Sequence, residues 1–132
     1  MNMSIRILIV LMLILSTTLI HANEIDSSKP LVCAIVEVID CGVKGDCEQV
    51  DPEFVNLPNI FKVDIESKVL HSGERKTKIY HITKNEQVTV AQGTSEDNKA
   101  WSFVLSNNTG KFTGAIAAYD YGFLLFGSCI VD

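Results

Sequence analysis

The sequence predicts an all-β fold: an antiparallel meander of about seven to eight strands, closed into a small barrel or sandwich and tied by disulfides. Three observations carry that prediction. Short runs rich in β-branched and aromatic residues recur along the chain, separated by turn-forming residues. The 3.6-residue period of a long amphipathic helix is missing beyond the first 22 residues. Four cysteines stand at Cys33, Cys41, Cys47 and Cys129, at the two ends of the strand series.

Residues 1–22 have the plan of a secretory signal peptide. Arg6 supplies the early positive charge, ILIVLMLIL from Ile7 to Leu15 is unbroken apolar, and Ser16-Thr17-Thr18 turn polar. Ala22 offers a small residue for cleavage, although Ile20 stands where a small residue is commoner. A retained anchor needs roughly 20 apolar residues, and Ser16 interrupts the run too early. Cys33 is too far from the run to accept a lipid. Cleavage leaves a single β domain, residues 23–132, without stable membrane insertion. The cut removes Arg6 and no acid, so the net charge moves from −5 to −6. That acidic balance disfavours nucleic acid and anionic membrane surfaces, and no nucleic-acid partner is expected. The short Arg75-Lys76-Thr77-Lys78 run reads as a solvated turn.

The elements follow in order. Residues 33–41 (CAIVEVIDC) read as one strand. Asp51-Pro52-Glu53 combines an N-cap candidate with Pro at the first helical position, which predicts a single helical turn as far as Asn56. Phe61, Val63 and Ile65 alternate with Lys62, Asp64 and Glu66, the pattern of a half-buried strand. A turn is expected at His71-Ser72-Gly73-Glu74. Strands are then expected at residues 78–84, 87–92, 100–106, 111–119 and 122–130, with turn-forming separators. In Phe123-Leu124-Leu125-Phe126 both faces are apolar, so this last strand is expected to be central or covered on both sides.

Four cysteines in a secreted chain fit two disulfides. If residues 33–41 form one strand, eight residues at about 3.3 Å each separate Cys33 from Cys41 by roughly 26 Å. A disulfide needs Cα atoms within about 7 Å, so these two do not pair. Two schemes remain. Cys41–Cys47 with Cys33–Cys129 is preferred, because Gly42 and Gly45 permit a tight turn and a first-to-last bond suits a closing sheet. Cys33–Cys47 with Cys41–Cys129 stays open.

The Cys41–Cys47 loop (CGVKGDC) does not have the Cys-x₂₋₄-Cys spacing of zinc sites or the Cys-x-x-Cys of thiol oxidoreductases. Asp40, Asp46, Glu48, Asp51 and Glu53 cluster around it. Read as a calcium loop from Asp40, however, the stretch puts Gly42 and Lys44 where oxygen ligands belong. A disulfide-pinned turn is the expectation, with no metal and no cofactor. No Gly-x-Ser-x-Gly or His-Glu-x-x-His motif appears, so no catalytic residue is assigned and the protein is expected not to be an enzyme. His71 is expected in a turn and His81 half-exposed on a strand. Glu37 shares a face with Ile35 and Ile39 by simple alternation. It is then either a buried carboxylate with a raised pKa or, the favoured reading, a charged guard on a strand edge. Tyr119 and Tyr121 flank Asp120 at a hairpin tip.

Trp101-Ser102-Phe103-Val104-Leu105, Thr109-Gly110-Lys111 and Phe126-Gly127-Ser128-Cys129 resemble the tail of a family of small uncharacterised secreted proteins from proteobacteria. Cys41, Gly45-Asp46-Cys47 and Asn56-Leu57-Pro58 fit the same pattern in the front half. The resemblance implies a bacterial envelope setting, periplasmic or secreted, and carries no activity. At a distance the chain also resembles the up-and-down barrels of lipocalin type, without their Gly-x-Trp near the barrel start.

Two functions are expected from these readings. The first is a non-enzymatic protein that binds another envelope protein, as inhibitor or accessory subunit. The second is a carrier of a small apolar ligand in a barrel cavity. They differ in the interior: a carrier needs small inward residues, for which the strand around Gly114 and Ala115 is suited, whereas a protein binder is filled inside. N-terminal sequencing of exported protein is expected to read from Asn23. Recovery of Met1 in a membrane fraction would contradict that processing.

Overall fold

A computed structural model describes residues 24–132; the expected signal segment, residues 1–22, and its cleavage site lie outside the described residues. Nine strands follow one another: β1 (Leu31–Gly42), β2 (Cys47–Val50), β3 (Ile60–Asp64), β4 (Val69–Ser72), β5 (Arg75–Lys84), β6 (Val88–Thr94), β7 (Ala100–Ser106), β8 (Lys111–Ala117) and β9 (Tyr121–Val131). A 3-10 turn, Pro52–Val55, precedes β3. Its Asp51 N-cap position, its Pro at the start and the left-handed Asn56 that ends it match the reading of that stretch.

All pairings are antiparallel. β1 and β3 to β9 form an eight-stranded meander, and β9 pairs back onto β1 to close a barrel. The closing ladder is the longest in the molecule, running from Leu31↔Val131 to Gly42↔Tyr121. Along its other edge β1 is shared. Leu31 to Ala34 pair with β3, while Val38 to Cys41 pair with β2. Among the described residues no helix is long and apolar enough to cross a membrane.

Both disulfides follow the preferred scheme, and each joins residues directly opposed in a ladder. Cys33–Cys129 bridges β1 and β9, and Cys41–Cys47 bridges β1 and β2. The described residues contain no free cysteine, which fits an oxidising compartment.

Four local expectations are corrected. Cys47–Val50 is a strand, although it lacks an alternating apolar pattern; the disulfide and the ladder to β1 hold it extended. Val69–Ser72 is also a strand, because left-handed Lys68 and Gly73 make tight reversals on either side of it. The expected turn shrinks to Gly73-Glu74, and His71 lies within β4. Arg75 to Lys78 open β5 and are not a solvated turn. Finally, Val36 is the extra residue of a bulge between Ile35 and Glu37. The bulge shifts the phase of β1, so that Ile35 and Val38 both face the core while Glu37 and Ile39 oppose outward-facing Phe126 and Leu124. Simple alternation cannot show an inserted residue.

Close approach at this bulge explains Gly127, which opposes Ile35. A Cβ there would lie 2.0 Å from the Ala34 carbonyl oxygen. Inside the barrel, Phe61, Phe103 and Phe112 form a three-ring cluster with centroids 5.1 to 6.1 Å apart. Such contacts add to their area burial.

One end of the barrel is sealed by a polar plug. Thr89 Oγ1 donates to Asn107 Oδ1 at 2.9 Å, which uses its only proton. Ser27 Oγ must then be the donor in the 3.1 Å bond to Thr89. Asn107 Nδ2 donates to the Asn85 carbonyl, and the Ile25 amide donates to the Asn107 carbonyl. The N-terminal segment is thereby fastened under the floor.

The two disulfides differ in the chain they enclose, with sequence separations of 96 and 6. By chain entropy the long loop contributes up to about 4.7 kcal/mol and the short one about half. Urea denaturation is expected to show a larger stability loss for Cys33→Ser/Cys129→Ser than for Cys41→Ser/Cys47→Ser. Equal losses would contradict the entropic account.

Candidate functional site

Above the phenylalanine cluster the barrel is not filled. A cavity of about 790 Å³ lies inside it and opens at the end opposite the plug. Its depth follows from alternation along each strand. Phe103 and Trp101 of β7, Gly114 and Ile116 of β8, and Leu125 and Phe123 of β9 line the wall. Ile35 enters from β1 and Leu70 from β4. Val55, Leu57 and Pro58, from the 3-10 turn and the link after it, lean over one side. They occupy the place where β1 has left β3 for β2.

Small residues make the space. Gly114 lies between Phe103 and Leu125 in the ladders, and its missing side chain leaves room above the aromatic cluster. Gly93 opposes Trp101, and a Cβ on it would come within 2.5 Å of the indole ring. Only glycine lets that ring lie against β6. The Trp101 Nε1–H is buried and has no acceptor among the described residues. An unmet buried donor costs about 1–3 kcal/mol.

The mouth is polar. Ser72 closes β4, and Arg75 and Thr77 point the same way as the fully buried Ile79 on β5. Across from them, the turn between β6 and β7 carries Ser95, Asp97 and Lys99. Lys99 Nζ donates to Asp97 Oδ2 and Ser95 Oγ donates to Asp97 Oδ1, both at 2.5 Å. These two bonds hold the Asp97 carboxyl down to about 2. The bond to Asp97, and then Tyr121, raises Lys99. Lys99 Nζ also sits 5.5 Å from the Tyr121 ring centroid. Arg75 has no ion-pair partner among the described residues.

Most residues singled out from sequence lie elsewhere. Glu37 is on the outer face of β1, which disposes of the buried-carboxylate reading. His81 is exposed on β5, its Nε2 3.2 Å from Thr83 Oγ1. His71 stands between Lys62 and Lys76 in the ladders, away from the cavity. Tyr119 is 98% exposed in the last turn, whereas Tyr121 lines the mouth. Asp40, Asp46 and Glu48 border a second, open recess beside the Cys41–Cys47 bond. No three acidic, histidine or cysteine side chains among the described residues are placed to hold a metal. Sequence reasoning did not single out Arg75, Thr77 or Trp101 as site residues. The signal was the period of two, with Arg75 and Thr77 in phase with Ile79, and Trp101 in phase with Phe103 and Leu105.

No protein-family model, curated protein or solved structure matches this chain. The chemistry of the cavity therefore has to be argued from its own walls: an apolar shaft, an aromatic floor, and hydrogen-bond donors at the mouth and in the wall.

The rim ion pair is testable by titration. The Asp97 carboxyl, followed by carbon NMR, is expected to titrate near 2 instead of the usual 3.8. Its folded value is depressed, so its contribution to stability is complete above the unfolded value and is lost as pH falls from about 4 towards 2. Lys99→Met is expected to move the midpoint upward.

Proposed function

We propose that this protein is a carrier of a small apolar ligand, working in the periplasm or outside the cell. One observation carries the reading: the barrel interior holds a 790 Å³ cavity, within the range of ligand sites, with an apolar shaft beneath a polar mouth. A β domain whose work was done by its outer surface would be expected to fill its interior to native density. Here Gly114 withholds a side chain on the cavity wall, where a larger residue would reduce the space. The two disulfides and the plug stiffen the scaffold around the cavity, which lowers the ordering cost of binding. The disulfides are also what favours an oxidising compartment.

A second reading, binding to an envelope protein, has its own support. Val104, Leu124 and Phe126 are 38% to 43% exposed on the outer face of β7 and β9. Ile39 opposes Leu124 on that face, and bulged Val36 is 74% exposed nearby. Apolar surface of this kind suits protein contact.

The two readings separate by mutation. Purified protein is expected to bind the neutral probe N-phenyl-1-naphthylamine saturably at one site. Ile116→Trp, which puts an indole into the cavity, is expected to weaken that binding at least tenfold, with circular dichroism confirming the fold. Leu124→Asp on the outer face is expected to leave it unchanged. Probe binding lost with Leu124→Asp and kept with Ile116→Trp would refute the carrier reading.

A further inference from the structure

Two of the groups left unmatched around the cavity among the described residues are donors, Arg75 at the mouth and the Trp101 indole in the wall, and this bears on what enters it. At the mouth, Asp97 is engaged by both Lys99 and Ser95, and Lys99 is thereby neutralised. Arg75 is the mouth cation with no carboxylate within ion-pair distance among the described residues. The hydroxyls of Ser72, directly opposite it in the ladder, and Thr77, the next inward residue on β5, lie beside it. Deeper in the wall, Trp101 Nε1–H is a buried donor without an acceptor among the described residues. Below them the cavity becomes aromatic and aliphatic, from Phe123 and Leu125 to Phe103. A ligand complementary to this arrangement brings acceptors and negative charge at the open end and an apolar chain to the closed end.

We infer that the ligand is a single-chain amphiphile with an anionic head, a long-chain carboxylate in type, held at its head by Arg75 and at its chain by the lumen. The inference rests on the carrier reading and adds to it a head group and the residue that recognises it. The guanidinium is suited to this work. Its planar fork matches a carboxylate with two parallel hydrogen bonds. Its position at the end of the short β4–β5 hairpin puts the charge at the water boundary, where a carboxylate is not fully desolvated. The opposing acids do not cancel it. Asp97 is already paired, and Glu96, which lines the rim without an ion-pair partner among the described residues, is exposed on the turn beside it, where water screens its charge. Asp40, Asp46 and Glu48 border a neighbouring recess that shares Tyr121 and Phe123 with the cavity, and none of them lines the cavity itself.

Trp101 is the chain's single tryptophan and lines the cavity, so its fluorescence reports occupancy directly. The purified protein is titrated with dodecanoate, dodecan-1-ol and dodecyltrimethylammonium, each below its micelle concentration. Dodecanoate is expected to bind at least tenfold more tightly than the alcohol, and the ammonium most weakly. Arg75→Gln is expected to weaken dodecanoate about tenfold and leave the alcohol within twofold. Lys76→Gln makes the same charge change on the opposite face of β5 and is expected to alter neither. Equal affinity for carboxylate and alcohol would overturn the head assignment and leave the carrier reading standing. Equal loss in Arg75→Gln and Lys76→Gln would overturn the assignment to Arg75, since net charge alone would then be at work. Failure of all three amphiphiles to change the Trp101 signal would overturn the head assignment and the carrier reading together.

Discussion

Closure of β1 against β9 is the constraint on which the other features depend. An open eight-stranded meander would leave two edges with unpaired backbone groups, and its inner face would be exposed to water. The β1–β9 ladder removes both edges over eleven residue pairs. Closing at this length requires two accommodations in the same place. Val36 is bulged out, and Gly127 gives up its side chain so that the Ala34 carbonyl can approach. The Cys33–Cys129 bond then ties the ends of the chain across the seam. Its largest effect is on the unfolded chain, where it forbids the two ends from separating.

The same strand produces the opening. Because β1 is longer than β3, the far half of its β3-side edge is taken up by β2 instead, while its other edge stays paired with β9. The chain between β2 and β3 crosses that gap as a 3-10 turn, so Val55 and Leu57 reach the mouth. At the other end, the Ser27–Thr89–Asn107 network satisfies its own donors and seals the floor. One closed end, one open end and an aromatic floor between them follow from where the pairing of β1 changes partner. The interior is apolar. The outside is mostly polar along β3 to β5, with Lys62, Lys76 and Lys78 on that side, and more apolar along β7 to β9.

Much of this was legible in the residues. CAIVEVIDC read correctly as one strand, and its length alone excluded a Cys33–Cys41 bond. That argument left two pairings; the one the structure has was preferred because Gly42 and Gly45 permit a tight turn and a first-to-last bond suits a closing sheet. Pro52 and Asn56 announced the 3-10 turn through backbone preferences that need no partner. The candidate site was much less legible. Arg75 looked like part of a basic turn because four polar residues in a row carry no apolar contrast. Its inward direction follows from β5 starting at Arg75, opposite Ser72, which puts it in phase with buried Ile79. Trp101 was visible as a motif residue, but its relation to Gly93 is a contact between neighbouring strands. No reading of either strand alone contains it.

The sequence by itself determined the all-β class, most strand positions and the exclusion of a Cys33–Cys41 bond, because these rest on local chemistry: a period of two, turn residues and the reach of an extended chain. Tertiary structure decided the phase of β1 beyond Val36, and with it that Val38 and not Glu37 enters the core. It also decided that β2 and β4 are strands at all, that Arg75 turns towards the lumen, and that the interior keeps a cavity. The physical reason is common to all of them. A bulge, a short strand and an unfilled space are each defined by the opposing chain, and the opposing chain lies far away in sequence.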